Sequence, residues 1–71
     1  MNNNQFLTGR VKYYNRSKGY GFIKTDGSGK DYFFHYSKQI NTNEIFNEGE
    51  KVSFDIGENK NGECAINVQR I

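Results

Sequence analysis

Tryptophan is absent from this 71-residue chain, and cysteine, histidine, alanine and leucine each occur once. The single cysteine, Cys64, can form neither an internal disulfide nor a metal site of its own. Small secreted domains lean on disulfides, so the chain reads as cytoplasmic. No apolar run approaches the roughly 18 residues of a membrane span. The start, Met1-Asn2-Asn3-Asn4-Gln5, has no basic stretch followed by an apolar one, so no secretory leader is visible. The marks of catalysis are missing too. There are no paired carboxylates and no nucleophile–base set, and His35 has no cluster of carboxylates or thiols around it. Gly19-x-Gly21 mimics the start of a dinucleotide loop, but Lys24 stands where the third glycine belongs and no helix follows. The expectation is no catalytic residue, no metal, no cofactor, no small-molecule substrate and no membrane.

What is present favours strands. Six Ile, three Val and three Thr stand against one Ala and one Leu, and there are 11 aromatics. β-Branched and aromatic side chains suit a pleated surface. A chain of 8.2 kDa is one small domain with a thin core, because about 60% of its unfolded surface is buried on folding. Thr8 to Asn15 reads as a first strand, ended by the polar cluster Asn15–Gly19. Tyr20 to Thr25 is a second, followed by the turn Asp26-Gly27-Ser28-Gly29. Asp31 to Tyr36 is a third. A longer polar connection, residues 37–49, carries a helical turn near Ser37–Ile40. Glu50 to Ile56 alternates, with Val52, Phe54 and Ile56 on one face and Lys51, Ser53 and Asp55 on the other. Asn59-Lys60-Asn61-Gly62 is a hairpin turn, and Cys64 to Ile71 closes the chain with Cys64, Ile66, Val68 and Arg70 on one face. Five short strands suggest an all-β, closed antiparallel barrel, since closure removes exposed edges.

Net charge is only +2, but it is unevenly placed. Residues 1–38 hold seven cations against Asp26 and Asp31, a net of +5. Residues 39–71 hold three cations against six carboxylates, a net of −3. This suggests one basic and one acidic face.

Eight of the 11 aromatics fall between positions 13 and 36. In the second strand Tyr20 and Phe22 share a face and Ile23 points the other way. In the third, Asp31, Phe33 and His35 share one face, and Tyr32 and Phe34 take the other. Both faces of that strand are aromatic, and only one can be core. Asp31 and His35 mark the solvent side, which puts Phe33 outside with them. Pairing through the Asp-Gly turn would then join Tyr20, Phe22, Phe33 and His35 into one exposed platform, with Lys12, Lys18 and Lys24 nearby. Exposed rings rimmed by cations suit single-stranded nucleic acid: rings stack on unpaired bases and lysines meet phosphates. Two other readings stand beside it at this point. The rings could be filler in a core short of aliphatics, or a cage for a methylated lysine.

The sequence also resembles a known family. Lys18-Gly19-Tyr20-Gly21-Phe22-Ile23 resembles the first ribonucleoprotein motif of bacterial cold-shock proteins, and Tyr32-Phe33-Phe34-His35-Tyr36 resembles the second. Gly9-Arg10-Val11-Lys12-Tyr13-Tyr14-Asn15, Glu48-Gly49-Glu50-Lys51-Val52-Ser53-Phe54 and Gly62–Val68 are similar to three further family segments, in order. The resemblance runs from about Leu7 to Val68 and implies an oligonucleotide/oligosaccharide-binding barrel at 7–71 behind a flexible tail of residues 1–6. It implies a monomer that binds single-stranded RNA and DNA and acts as an RNA chaperone affecting transcription and translation. The family's stacking positions fall on Tyr13, Tyr20, Phe22, Phe33, His35 and Tyr36. Its polar contacts fall on Lys12, Lys18 and Asp31. Tyr14 matches a ring that is partly core and partly binding surface, and Val11, Ile23, Tyr32, Phe34 and Val52 match core. Three departures suggest weaker binding than a typical member. Tyr13 replaces a tryptophan, Glu63 replaces a proline, and Phe46 matches the leucine just before the family's Glu-Gly pair rather than the family's loop phenylalanine.

Overall fold

Turn residues cut the chain where the sequence places them. The computed structural model describes residues 7–71, so the expected tail, 1–6, lies outside the described residues. The strands are β1 (Leu7–Asn15), β2 (Tyr20–Thr25), β3 (Asp31–His35), β4 (Lys51–Asn59) and β5 (Gly62–Arg70), with a 3-10 turn at Tyr36–Lys38. Tyr36 therefore opens the helical turn instead of ending β3. β4 runs three residues further than its alternation suggests, and β5 starts directly at Gly62. In the β2–β3 turn Gly27 and Gly29 take φ of 85° and 73°, which glycine adopts without steric penalty.

All neighbouring strands are antiparallel, in the order β3-β2-β1-β4-β5. The sheet curls until β3 and β5 face each other, but no ladder joins those two edges. The closest closure is a single parallel bridge between Gln39 and Val68, where the Ile40 N–H donates to the Val68 carbonyl at 2.9 Å. The barrel is thus closed by side chains and one bridge, not by a hydrogen-bonded seam. No helix among the described residues is long and apolar enough to cross a membrane.

The core is Val11, Ile23, Phe34, Phe46, Val52, Phe54, Ala65 and Val68, with Leu7, Tyr14, Tyr32 and Ile56 packed on it. Each expected core residue is there, with Tyr32 half-buried at its margin. Phe46 is also core, its ring 6.0 Å from those of both Phe34 and Tyr14. Gln39 is buried with both side-chain polar atoms satisfied. It accepts from the Tyr14 hydroxyl and donates to the carbonyls of Asn41 and Glu44, so it pins the connection 40–45.

Two bulges decide which side chains face inward. In β1 the register shifts between Val11, opposite Ile23, and Tyr13, opposite Phe22. The extra residue lets Lys12 and Tyr13 both point outward and returns Tyr14 to the core. In β5 the shift lies around Asn67, whose φ of 53° is the only positive value at a described non-glycine residue. It corrects the expected face of β5. Ala65 and Val68 fill the core, Ile66 lies half-buried over Gly57, and Arg70 is exposed. Cys64 is buried, although it lies outside the core cluster.

Candidate nucleic-acid interface

Cross-strand pairing assembles the outer face of β1, β2 and β3. Tyr20 lies opposite His35, Phe22 opposite Phe33, and Lys24 opposite Asp31. On the other side Tyr13 lies opposite Phe22, and Asn15 opposite Tyr20. The rings touch in sequence. Tyr13 and Tyr20 are 6.0 Å apart between centroids, Tyr20 and Phe33 5.7 Å, and Phe22 and Phe33 5.8 Å. His35 sits 4.5 Å from Tyr36, which extends the strip around the end of β3. Tyr13, Phe22 and Tyr36 remain 40%, 37% and 45% exposed, whereas Phe34, one residue from Phe33, is fully buried. Rings standing in water at this density form an apolar strip that the core does not use.

Glycines hold the strip in shape at two positions. A side chain at Gly21 would strike the Tyr13 carbonyl and press on the Phe34 and Tyr14 rings at 3.0 Å. Gly19, at φ 72°, accepts from the Tyr36 N–H and leaves room for the Tyr36 ring, which a Cβ would overlap. His35 Nδ1 sits 2.9 Å from the Ser37 hydroxyl and accepts from the Ser37 N–H, which fixes the ring at the strand end.

The charges are more mixed than the half-chain split suggests. Lys12 reaches across to Asp31 at 2.8 Å, Lys51 pairs with Asp26 at 2.7 Å, and Lys30 pairs with Glu63 at 3.2 Å. One acidic residue of the second half, Glu63, thus reaches the basic half, and Lys51 of the second half reaches Asp26 of the first, because β4 and β5 curl back toward it. These pairs are exposed, add little to stability, and exchange readily for another partner. Lys18 and Lys24 form no ion pair among the described residues.

Of the ten residues singled out from the sequence, the structure gathers Lys12, Tyr13, Tyr20, Phe22, Asp31, Phe33, His35 and Tyr36 on one face. Lys18 lies in the turn after β1. With Arg16, Tyr36 and Ile45 it lines a cleft of about 310 Å³ that continues the strip. Tyr14 turns inward, stacks on Phe34 at 5.8 Å, and is half-buried along the wall of that cleft. Burial raises its hydroxyl pKa above the ordinary tyrosine value, with the Arg16 charge opposing. The sequence reading missed Asn59 and Asn61 and took Glu63 only as a departure from the family's proline; all three border a cavity beside Phe22 and Phe33. In the sequence the two asparagines show only a turn signal; the curl of β4–β5 brings the three residues to the rings. Another surface cavity, of about 540 Å³, lies apart from the strip between Ile40, Phe54, Asn67 and Ile71.

A curled five-stranded antiparallel sheet of the oligonucleotide/oligosaccharide-binding type, with an aromatic and basic outer face, defines a class of nucleic-acid-binding domains. Comparison with known proteins makes this specific. Residues 7–71 match the 'Cold-shock' DNA-binding domain, and the chain belongs to that family. It is 42% identical over 64 residues to the major cold shock protein of Streptococcus pyogenes serotype M18, covering 89% of this chain and 94% of that one. It is 42% identical over 66 residues to the cold shock-like protein CspB of Bacillus cereus, covering 92% of this chain and 100% of the relative. Cold shock-like protein CspG of Escherichia coli K12 shares 43% over 63 residues, covering 87% and 90%. Among solved structures, CSD456 of Drosophila Unr superposes with a TM-score of 0.77 at 18% identity. It covers 96% of this chain, which spans 27% of that longer one. The protein is a nucleic-acid-binding cold-shock protein with the fold of its relatives.

Proposed function

We propose that this protein is a cytoplasmic monomer that binds single-stranded RNA and DNA and acts as an RNA chaperone affecting transcription and translation. Unpaired bases stack on Tyr13, Tyr20, Phe22, Phe33, His35 and Tyr36. Lys12, Lys18 and Lys24 meet the phosphates, and Asp31 accepts from a base edge when Lys12 swings to the backbone. The observation that carries this reading is the unbroken outward run of rings from Tyr13 through Tyr20 to Phe33 and Phe22. Ring faces stack only on bases whose own faces are free, which a duplex does not offer. By holding open strands, the protein destabilises weak hairpins through mass action.

The test is titration with an oligomer of about 6–8 nucleotides, within the range for one such fold, against the matched duplex at the same salt. The single strand binds at least about tenfold more tightly, with RNA and DNA comparable, because stacking does not need a 2′-hydroxyl. Equal affinity for duplex and single strand overturns the stacking mechanism.

A further inference from the structure

The β4–β5 hairpin closes over one end of the strip. Its tip and the rings of Phe22 and Phe33 enclose a cavity of about 270 Å³, lined also by Asn59, Asn61 and Glu63. The polar wall has a definite hydrogen-bonding sense. Asn59 Oδ1 already accepts from the Asn61 N–H at 2.8 Å, which leaves the Asn59 amide nitrogen as a donor. The Asn61 carboxamide has no partner among the described residues and adds a second amide. Glu63, as a carboxylate, only accepts. Lys30 steadies it from one side, 3.2 Å from Oε1, and is itself held over the Tyr32 ring at 5.1 Å. Each carboxylate oxygen has capacity for two hydrogen bonds, so both oxygens can take further donors. The cavity therefore presents a ring pair, an amide donor and a two-pronged acceptor.

An unpaired base held against these rings offers its Watson–Crick edge to that wall. The four bases differ in how they meet it. Guanine carries two adjacent donors, N1–H and N2–H, which match the two carboxylate oxygens, and an O6 acceptor for an asparagine amide. Cytosine and adenine bring one exocyclic amine. Thymine and uracil bring one N–H between two carbonyl oxygens, and those oxygens face the carboxylate unfavourably. Resting on the single-strand reading above, we propose that this cavity is a base-reading subsite that selects guanine. Glu63 is its discriminating residue and Asn59 and Asn61 supply the O6 contact.

The experiment uses the whole protein and heptathymidylate carrying a single guanine, cytosine or adenine at each position in turn. At one position guanine tightens binding about five- to tenfold over thymine. This is the weak end of a bidentate base contact, as fits a half-exposed carboxylate. In Glu63→Gln, which keeps the shape but loses one acceptor, that ratio falls below about twofold. Glu48→Gln removes another exposed charge, outside the cavity, and keeps the wild-type ratio. Circular dichroism checks that each variant is folded. Tight binding with no guanine advantage at any position overturns the subsite alone, as does an advantage that survives Glu63→Gln. Failure to bind any heptamer overturns the single-strand reading and the subsite with it.

Discussion

Phe33 and Phe34 are neighbours in the chain with opposite surroundings. Phe34 is fully buried against Tyr14 and Phe46, while Phe33 stands outside between Tyr20 and Phe22. Truncating each should separate binding from stability. Phe33→Ala weakens oligonucleotide binding by about 1–3 kcal/mol, the worth of one base stack, with a much smaller loss of stability. Phe34→Ala costs about 3–5 kcal/mol of stability, as a large aromatic removed from a core does. Urea midpoints and oligomer titrations on the same samples read both effects, and unfolding by Phe33→Ala with no separable binding loss overturns the assignment. Tyr13→Trp tightens binding, because a wider ring covers more of a base. Gly21 is constrained from both sides, by the Tyr13 carbonyl and by the Phe34 and Tyr14 rings. Gly21→Ala destabilises by about 1–3 kcal/mol, as overpacking does, with a lowered urea midpoint as the sign.

At the scale of elements, the connection between β3 and β4 is held by charge as much as by apolar contact. Arg70, at the end of β5, donates from Nε and Nη2 to both oxygens of Glu50, from Nη1 to Glu44 and from Nη2 to the Ile45 carbonyl. Its guanidinium lies 5.4 Å from the Phe46 ring centroid. The guanidinium of Arg70, helped by the Asn47 N–H, holds the Glu50 carboxyl below its ordinary pKa. The Lys51 ammonium and the Thr8 hydroxyl do the same for Asp26. A carboxyl whose folded pKa is depressed adds stability above its unfolded pKa, and that stability disappears as pH falls through the folded value. The unfolded values lie near about 4. The urea midpoint should therefore be level from about pH 7 to 5 and fall below about pH 4. Glu50→Gln should lower the midpoint at pH 7 and shrink the acid loss. A midpoint that is the same at pH 3 and pH 7 shows that these contacts do not stabilise the fold.

For the whole molecule, a net charge of +2 is too small to hold nucleic acid by attraction alone. The proposed mode of binding combines ring stacking with a few local phosphate contacts. With about three to five phosphates neutralised at −0.7 each on a single strand, log K falls against log[salt] with a slope of roughly −2 to −3.5. Titrations at two or three salt concentrations measure it, and a flat response sinks the lysine contacts. The curl of β4 and β5 that brings Glu63 to Lys30 also caps the strip at one end, so the acidic half bounds the aromatic face as well as balancing its charge.

The sequence alone determined the strands and most of the aromatic outer face. Alternation in β2 and β3 is local, so Ile23 and Phe34 could be placed inside and Tyr20, Phe22, Phe33 and His35 outside before any packing was known. The turns were legible for the same reason: Asp26-Gly27 and Asn61-Gly62 state their preference within two residues. Only the tertiary structure decided the rest, because it depends on residues distant in the chain. Plain alternation would place Tyr13 inside with Val11; the bulge at Lys12, set by pairing with β2, turns it out. The bulge at Asn67 likewise exchanges Ile66 for Ala65 in the core, and no local pattern announces it. The cavity at Phe22 and Phe33 joins β2 and β3 to a hairpin that begins at Asn59, and the sheet that unites them is left unsealed between β3 and β5. Periodicity fixes which face a side chain takes within one strand, whereas bulges and sheet curl arise only when strands pair and a shared core must be filled.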